Sequence, residues 1–173
     1  MRLSLTDWRR LSYDQMNQPT NCRFDVVVEV PRWGFVKRGS NGDVDFVSPL
    51  PCLYNYGAVP KYIGLDGDLL DAVIIGNRLP RGARCQLTAR GAIGLMDRGL
   101  YDDKVVFSER PLSALDRFVL LIFFHVYAQF KRLLNIVRGR PGNTACTGWC
   151  DVDSAIARAE LRDPLWGGPS VPF

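Results

Sequence analysis

The chain has a single histidine, His125, and no paired CxxC spacing among its five cysteines. With no second imidazole or cysteine at metal spacing, a soft-ligand zinc site has little to build on, and His125 reads as a partly buried structural side chain. An odd number of cysteines also argues against a secreted disulfide framework. Cys146 with Cys150 is only a weak metal or redox signal, and reduced, buried thiols in a cytosol fit better. Long apolar runs are missing too. The longest, Phe118 to Phe124, is far short of the ~20 residues a spanning helix needs. Met1 to Arg10 contains no continuous apolar core of a signal peptide. These absences point to a soluble, cytoplasmic protein with no membrane partner. Nor does charge of one sign dominate: the formal charge is +4, with basic residues spread from Arg2 to Arg162, which gives no nucleic-acid footprint.

What is present suits one folded domain. A chain of 173 residues buries roughly two-thirds of its unfolded surface and needs no staple. Eleven prolines and sixteen glycines indicate many turns. Phe24 to Val30 is a β-branched run that stops at Pro31 and predicts a buried strand. Trp33 to Lys37, the Asn41-Gly42 turn and Val44 to Val47 predict a hairpin. Further strands are expected at Ala72 to Ile75, Arg84 to Ile93 and Lys104 to Ser108. The last third changes character. Leu112 to Val137 lacks Gly and Pro and predicts a long helix, started by Ser113 with Asp116 and stopped at Arg138-Gly139. Asp151 to Leu161 predicts a second helix, with Asp153 or Ser154 near its start. Strands followed by helices imply an α+β fold, a small closed or nearly closed barrel with helices packed outside. One domain spanning 1–173 is expected, with 1–22 an N-terminal extension and 163–173 an irregular tail.

The sharpest local feature is Asp66-Gly67-Asp68-Leu69-Leu70-Asp71 at the mouth of a predicted strand. Two carboxylates about 4 Å apart repel by ~4 kcal/mol at an effective dielectric near 20, so carboxylates that converge do so around a cation. Ligands of this hard oxygen type suit Mg²⁺ or Mn²⁺. Taken alone, the segment reads equally as an acidic surface turn in which Gly67 supplies a positive φ. Its company shifts that balance. Tyr54 to Pro60 precedes it, Asp97, Asp102, Asp103 and Lys104 form a second charged cluster, and Glu29 sits inside an otherwise apolar strand. An unpartnered carboxylate there would be costly.

Six ordered pieces carry a resemblance: Glu29-Val30-Pro31, Lys37, Asn55-Tyr56-Gly57 with Pro60, the Asp66 to Asp71 run, the Asp97, Asp102, Lys104 spacing, and Gly148-Trp149. In that order they resemble the family I soluble inorganic pyrophosphatases over residues 24–160. The resemblance implies a five-stranded OB-like barrel, two main C-terminal helices and Mg²⁺-dependent hydrolysis of pyrophosphate to two phosphates. It implies that Asp66, Asp71 and Asp102 hold one metal, that Asp71 also touches a second, and that Glu29 and Asp97 serve substrate-linked metals. Asp68 would orient or deprotonate the attacking water. Lys37, Tyr56, Lys104 and Lys131 would bind phosphate oxygens, Tyr56 and Lys104 acting in the catalytic step as well. Family members in bacteria commonly form homo-oligomers, and Phe118, Phe123, Phe124 and Tyr127 read as core or subunit interface.

The departures fall on the phosphate side. Gly39 stands where the family has an acidic residue, Cys52 where it has a tyrosine, and Phe130-Lys131 where it has a Tyr-Lys pair, while Val44 to Pro51 contains no Arg or Lys. Three functions therefore stay in view. One is a pyrophosphatase or a hydrolase of a related phosphoanhydride. Another is a degenerate paralogue that binds metal or phosphate, or scaffolds, without turnover. Last is an OB-type nucleic-acid binder, disfavoured by the acidic barrel mouth.

Overall fold

A computed structural model describes residues 23–38, 44–48, 50–163 and 165. The expected extension 1–22, the Asn41-Gly42 turn and most of the 163–173 tail lie outside the described residues. The elements are β1 (Arg23–Val30), β2 (Val36–Arg38), β3 (Val44–Val47), β4 (Asn55–Ile63), β5 (Leu69–Ile74), β6 (Arg84–Asp97), β7 (Leu100–Tyr101), β8 (Lys104–Phe107), α1 (Ala114–Val137), β9 (Ala145–Cys150), α2 (Val152–Arg158) and β10 (Glu160–Leu161).

Five strands close on themselves in the order β1, β4, β5, β8, β6, because β6 also pairs with β1. Every contact in this ring is antiparallel except β5 with β8. The barrel expected from the sequence is the one observed. Closure removes the free edges that an open sheet of this size would expose. As expected, β2 and β3 pair antiparallel, as a two-stranded sheet outside the barrel's own ladder.

Side-chain alternation divides the apolar residues into two layers. Ala72, Ile74, Val105 and Phe107 join Val26, Val28 and Val59 in one cluster, closed by Val152 and Ala155 of α2. The intervening Val73 and Val106 join Ile93 and Leu95 in a second cluster beneath Leu120, Phe124 and Ala128 of α1. That is why β5 and β8 are buried at every position and read as continuous apolar runs instead of alternating ones.

The helices begin as physical chemistry requires. Ser113 caps α1, its hydroxyl accepting from the Asp116 N–H at 3.1 Å while the Asp116 carboxylate accepts from the Ser113 N–H at 2.8 Å. Gly139, with φ +66°, follows the C-cap Arg138. In α2 the cap is Asp151, which accepts from the Ser154 N–H at 2.7 Å, and Asp153 and Ser154 fall in the first turn as expected. This helix is shorter than its sequence suggests. Glu160 and Leu161 leave it to pair with Ile63 and Tyr62 of β4, because strand pairing satisfies their backbone better than one more exposed helical turn.

One strand is not expected from the sequence, and the reading of His125 as partly buried is corrected. Asn55–Ile63 is a strand although it carries Gly57 and Pro60, residues that disfavour one. Pro60 falls in the irregular stretch between Val59 and Ile63, where no ladder bond is required of it. A Cβ on Gly57 would stand 1.8 Å from the Val27 carbonyl oxygen, so glycine there allows two backbones to meet. His125 is exposed, its Nδ1 2.7 Å from the Leu121 carbonyl oxygen. It lies on the outer face of α1 with Phe118 (60% exposed), Ile122 (50%) and Leu133 (58%). By length and composition alone α1 could cross a bilayer, but its inner line of Leu120, Phe124 and Ala128 is packed on the barrel.

Arg110 and Ser113 hold the Asp116 carboxyl well below the usual carboxylate range. A carboxyl depressed in the folded state contributes stability above its unfolded value of ~3.9, and that contribution is lost as pH falls through the folded value. Asp116→Ala should cost about 1 kcal/mol at pH 6. Its destabilisation relative to wild type should shrink as pH is lowered below about 4. Thermal unfolding of both proteins across pH 2.5 to 7 checks this.

Candidate active site

The two charged clusters meet because of register. Lys104 of β8 lies beside Asp71 of the parallel strand β5, and Asp102, two residues earlier, projects to the same side. The Lys104 ammonium, 1% exposed as a residue, hydrogen-bonds both carboxylates. Asp102 takes a second ammonium, Lys131 of α1, at 3.0 Å, and Lys131 also lies 3.1 Å from Asp97 at the end of β6. Lys37 of β2 stands 3.7 Å from Asp71 and 4.0 Å from Glu29. Tyr56 of β4 lies beneath, its ring 5.7 Å from the Lys37 ammonium and 5.9 Å from that of Lys104.

These groups border a cavity of about 260 Å³. Asp66, Asp68, Asp71, Asp97 and Asp102 line it, as do Lys37, Arg98, Lys104, Lys131 and Arg138, so the formal charges of the wall cancel. Asp66 and Asp68 come from the turn before β5, where Gly67 takes φ +87° and the Asp66 carboxylate accepts from the Asp68 N–H at 3.2 Å. Of the residues given metal, catalytic or phosphate-binding roles from the sequence, Glu29 stands apart from the cavity wall, beside Lys37, and the others line it. Asp103 of the second charged cluster does not join them: it pairs with Arg158 at 2.7 Å.

The local field orders the protons. Burial works against the Asp102 charge, but Lys104 and Lys131 more than offset it and hold the carboxyl well below its ordinary range. Burial likewise opposes the Lys104 charge, and Asp102 and Asp71 overcome it, so the ammonium keeps its proton. Burial, reinforced by Asp71 and Asp102, raises the Tyr56 phenol well above its usual value. Tyr56 is therefore a hydrogen-bond donor at neutral pH. Asp66 is raised by burial and then by Asp102 and Asp71, which marks three carboxylates converging on one place.

That convergence is the donor chemistry of a hard divalent cation. Among the described residues no three acidic groups stand as a finished cage, because ammonium groups sit between them: Lys104 between Asp71 and Asp102, Lys131 between Asp97 and Asp102. Asp66, Asp71 and Asp102 fit Mg²⁺ in donor type.

Several lining residues do not stand out in the sequence. Asn135 donates to Asp97 at 2.7 Å and to Thr144 at 3.2 Å, and Thr144 donates to Asp97 at 3.1 Å, so this carboxylate is anchored from two elements. Tyr127, Lys131, Asn135 and Arg138 line the cavity at helical spacing along one face of α1. That spacing is the signal the sequence holds for them. Adjacent helical residues diverge by about 100°, so Phe130 lies off the cavity and 41% exposed, whereas Tyr127, one turn before Lys131, lines it. Cys52 lines it as well, its thiol kept neutral by burial. Trp149 packs against α1 and the barrel under the Arg117 guanidinium, 5.2 Å away.

Barrel and cleft together define a class, an α+β protein with an OB-like barrel whose mouth interleaves carboxylates with lysines. The sequence model described as Inorganic pyrophosphatase matches residues 26–118. The chain is 25% identical over 170 residues to a protein of Synechocystis named Inorganic pyrophosphatase, covering 83% of this chain and 91% of that one. Its fold is similar to the inorganic pyrophosphatase of Coxiella burnetii, with TM-score 0.63, 24% identity, and 80% and 91% of the two chains covered. The same holds for that of Thermus thermophilus, with TM-score 0.64, 20% identity, and 83% and 90% covered. With more than half of its length matched, this chain belongs to the inorganic pyrophosphatase family, hydrolases of pyrophosphate.

Removing one partner of a buried ion pair costs about 3–5 kcal/mol. Lys104→Met should lose stability of that order in urea unfolding, and Mg²⁺ should restore more of it than it adds to wild type, because the freed carboxylates then lack a cation.

Proposed function

We propose that this protein hydrolyses inorganic pyrophosphate to two phosphates with Mg²⁺, Mn²⁺ serving in its place. The observation that carries the reading is a wall of cancelled charge built from interleaved carboxylates and ammonium groups. Such a wall offers a polyanion no net attraction until divalent cations are added, and then both substrate and cations are held. The cations supply charge neutralisation on the phosphoryl oxygens and a lowered pKa for water. Asp66, Asp71 and Asp102 would hold one of them, and Glu29, Asp71 and Asp97 would serve the others.

The chain's own groups do the rest. Lys37, Lys104 and Lys131 leave their carboxylates for phosphate oxygens, a charge-assisted exchange of one anion for another. Tyr56, which keeps its proton, donates to an oxygen of the substrate, and Lys104 stabilises charge growing on the bridging oxygen. Asp68, on the exposed turn and outside the ion pairs that hold Asp71, Asp97 and Asp102, orients the attacking water and accepts its proton. The exposed apolar face of α1 supports a homo-oligomer, and thiols held protonated by burial support a cytoplasmic setting. Neither nucleic acid nor a membrane is a partner in this reading.

Phosphate release from pyrophosphate with Mg²⁺ should fall by about 10²–10⁴-fold in Asp68→Asn, the range for loss of a general base. No release from the folded wild-type protein would turn the reading to a paralogue that binds without turnover.

A further inference from the structure

Asp97 spends one of its two oxygens on the protein. Its Oδ1 accepts from the Asn135 amide at 2.7 Å and from the Thr144 hydroxyl at 3.1 Å, two donors for the two lone pairs of that atom. Among the described residues its Oδ2 meets only cations, the Lys131 ammonium at 3.1 Å and the Arg98 guanidinium at 3.6 Å. The donors on Oδ1 cannot turn away. Thr144 Oγ1 accepts from the Asn135 amide at 3.2 Å and from the Arg98 N–H at 3.3 Å, so both its lone pairs are taken and its own hydrogen is left for Asp97. The Asn135 amide spends both its hydrogens, and turning it over would set its oxygen against the carboxylate. Asn135 is 9% exposed and Thr144 3%, so breaking either bond would leave a buried polar group unpaired.

The backbone behind each donor is fixed separately. At the end of α1 the Arg140 N–H donates to the Asn135 carbonyl at 2.8 Å and the Gly139 N–H to the Ile136 carbonyl at 3.0 Å, the paired bonds of a Schellman cap, which hold Asn135 at its place on the helix. The segment that carries Thr144 is pressed on the turn after β6. There the Gly99 N–H donates to the Asn143 carbonyl at 2.9 Å, and a Cβ on Gly142 would stand 2.7 Å from the Arg98 Cα. Nothing in the helix itself asks for asparagine between Leu134 and Ile136. Its helix propensity is poor and its buried amide needs partners, and those partners are Asp97 and Thr144.

We infer that Asn135 and Thr144 are positioning residues that lock Asp97 into offering a cation one oxygen only, and that this lock makes the site prefer Mg²⁺ to Ca²⁺. The inference rests on the reading given above, in which Asp97 serves a cation bound with the substrate. A carboxylate with both oxygens free can chelate, a mode that suits Ca²⁺, which takes about six to eight oxygens in flexible geometry. Mg²⁺ is smaller, demands a near-ideal octahedron and is served by single oxygens. Chelation by Asp97 would break two buried hydrogen bonds on Oδ1, whereas a contact through Oδ2 alone breaks neither. The network therefore sets a penalty on the larger ion and none on the smaller.

The test is binding of methylenediphosphonate, a diphosphate analogue that is not hydrolysed. Its affinity is measured by titration calorimetry with saturating Mg²⁺ or Ca²⁺ in wild type, Thr144→Val, Thr144→Ser and Asn135→Leu, with thermal melts reporting that each variant is folded. Affinity with Mg²⁺ should fall about 10–100-fold in Thr144→Val and Asn135→Leu, and affinity with Ca²⁺ less, so that the preference for Mg²⁺ narrows by about tenfold or more. Thr144→Ser keeps the hydroxyl and should keep the wild-type preference. Equal losses with both cations, or no loss with either, would overturn the inference, since Asn135 and Thr144 would then only support the fold. Wild type that binds the diphosphonate without help from either cation would overturn it as well. Phosphate release from pyrophosphate by the same proteins separates this inference from the hydrolytic reading. A cation preference that narrows in the variants, in a wild type that releases no phosphate, would sink turnover and leave the lock standing. Turnover in wild type with an unaltered preference in both variants would do the reverse.

Discussion

Everything at the barrel mouth depends on a lysine ammonium buried between two carboxylates. Lys104 alone in that position would carry an uncompensated charge at a cost of several kcal/mol, and so would Asp71 or Asp102. Together they are tolerable, and the arrangement requires β5 and β8 to run parallel, since that register sets Asp71 beside Lys104. A closed barrel supplies such a pair without a free edge. The charge triad and the topology therefore impose each other: a slip of one residue would turn Lys104 into the apolar layer closed by α2.

Helix α1 serves the core and the site with different lines of the same surface. Leu120, Phe124 and Ala128 seal the apolar layer beneath them, while Tyr127, Lys131, Asn135 and Arg138 complete the cavity. Anchoring Lys131 to Asp97 and Asp102 ties helix to barrel by charge, where the packed line ties them by burial. The helix start is fixed by its own capping box and by Arg110, so the axial position of Lys131 is set from a turn outside the cavity.

Parts of this are legible in the order of residues alone. Asp66, Asp68 and Asp71 announce themselves by crowding, and Asp97, Asp102 and Lys104 by a second cluster. Ser113 and Asp116 mark where α1 begins. The strand at β4 is not legible, because Gly57 and Pro60 argue against a strand, and only the closeness of the Val27 backbone explains the glycine. Asn135 is hidden in an apolar helix, and its role depends on Asp97 at the end of β6 and Thr144 just before β9. Tyr127 is masked by Phe130, which is nearer to Lys131 in the chain but points away from it on the helix.

The amino-acid sequence by itself determined the long helix and its cap, the first strand and the hairpin after it, the acidic runs and the membership of the family, because each is carried by residues close in the chain or by their order. Only the tertiary structure decided which charges meet: that Lys104 sits between Asp71 and Asp102, and that Lys131 bridges Asp97 and Asp102. The physical reason is one of range. Backbone preference and hydrophobic period act over a few residues, whereas the energy of an ion pair depends on a distance of about 3 or 4 Å set by strand register and barrel closure.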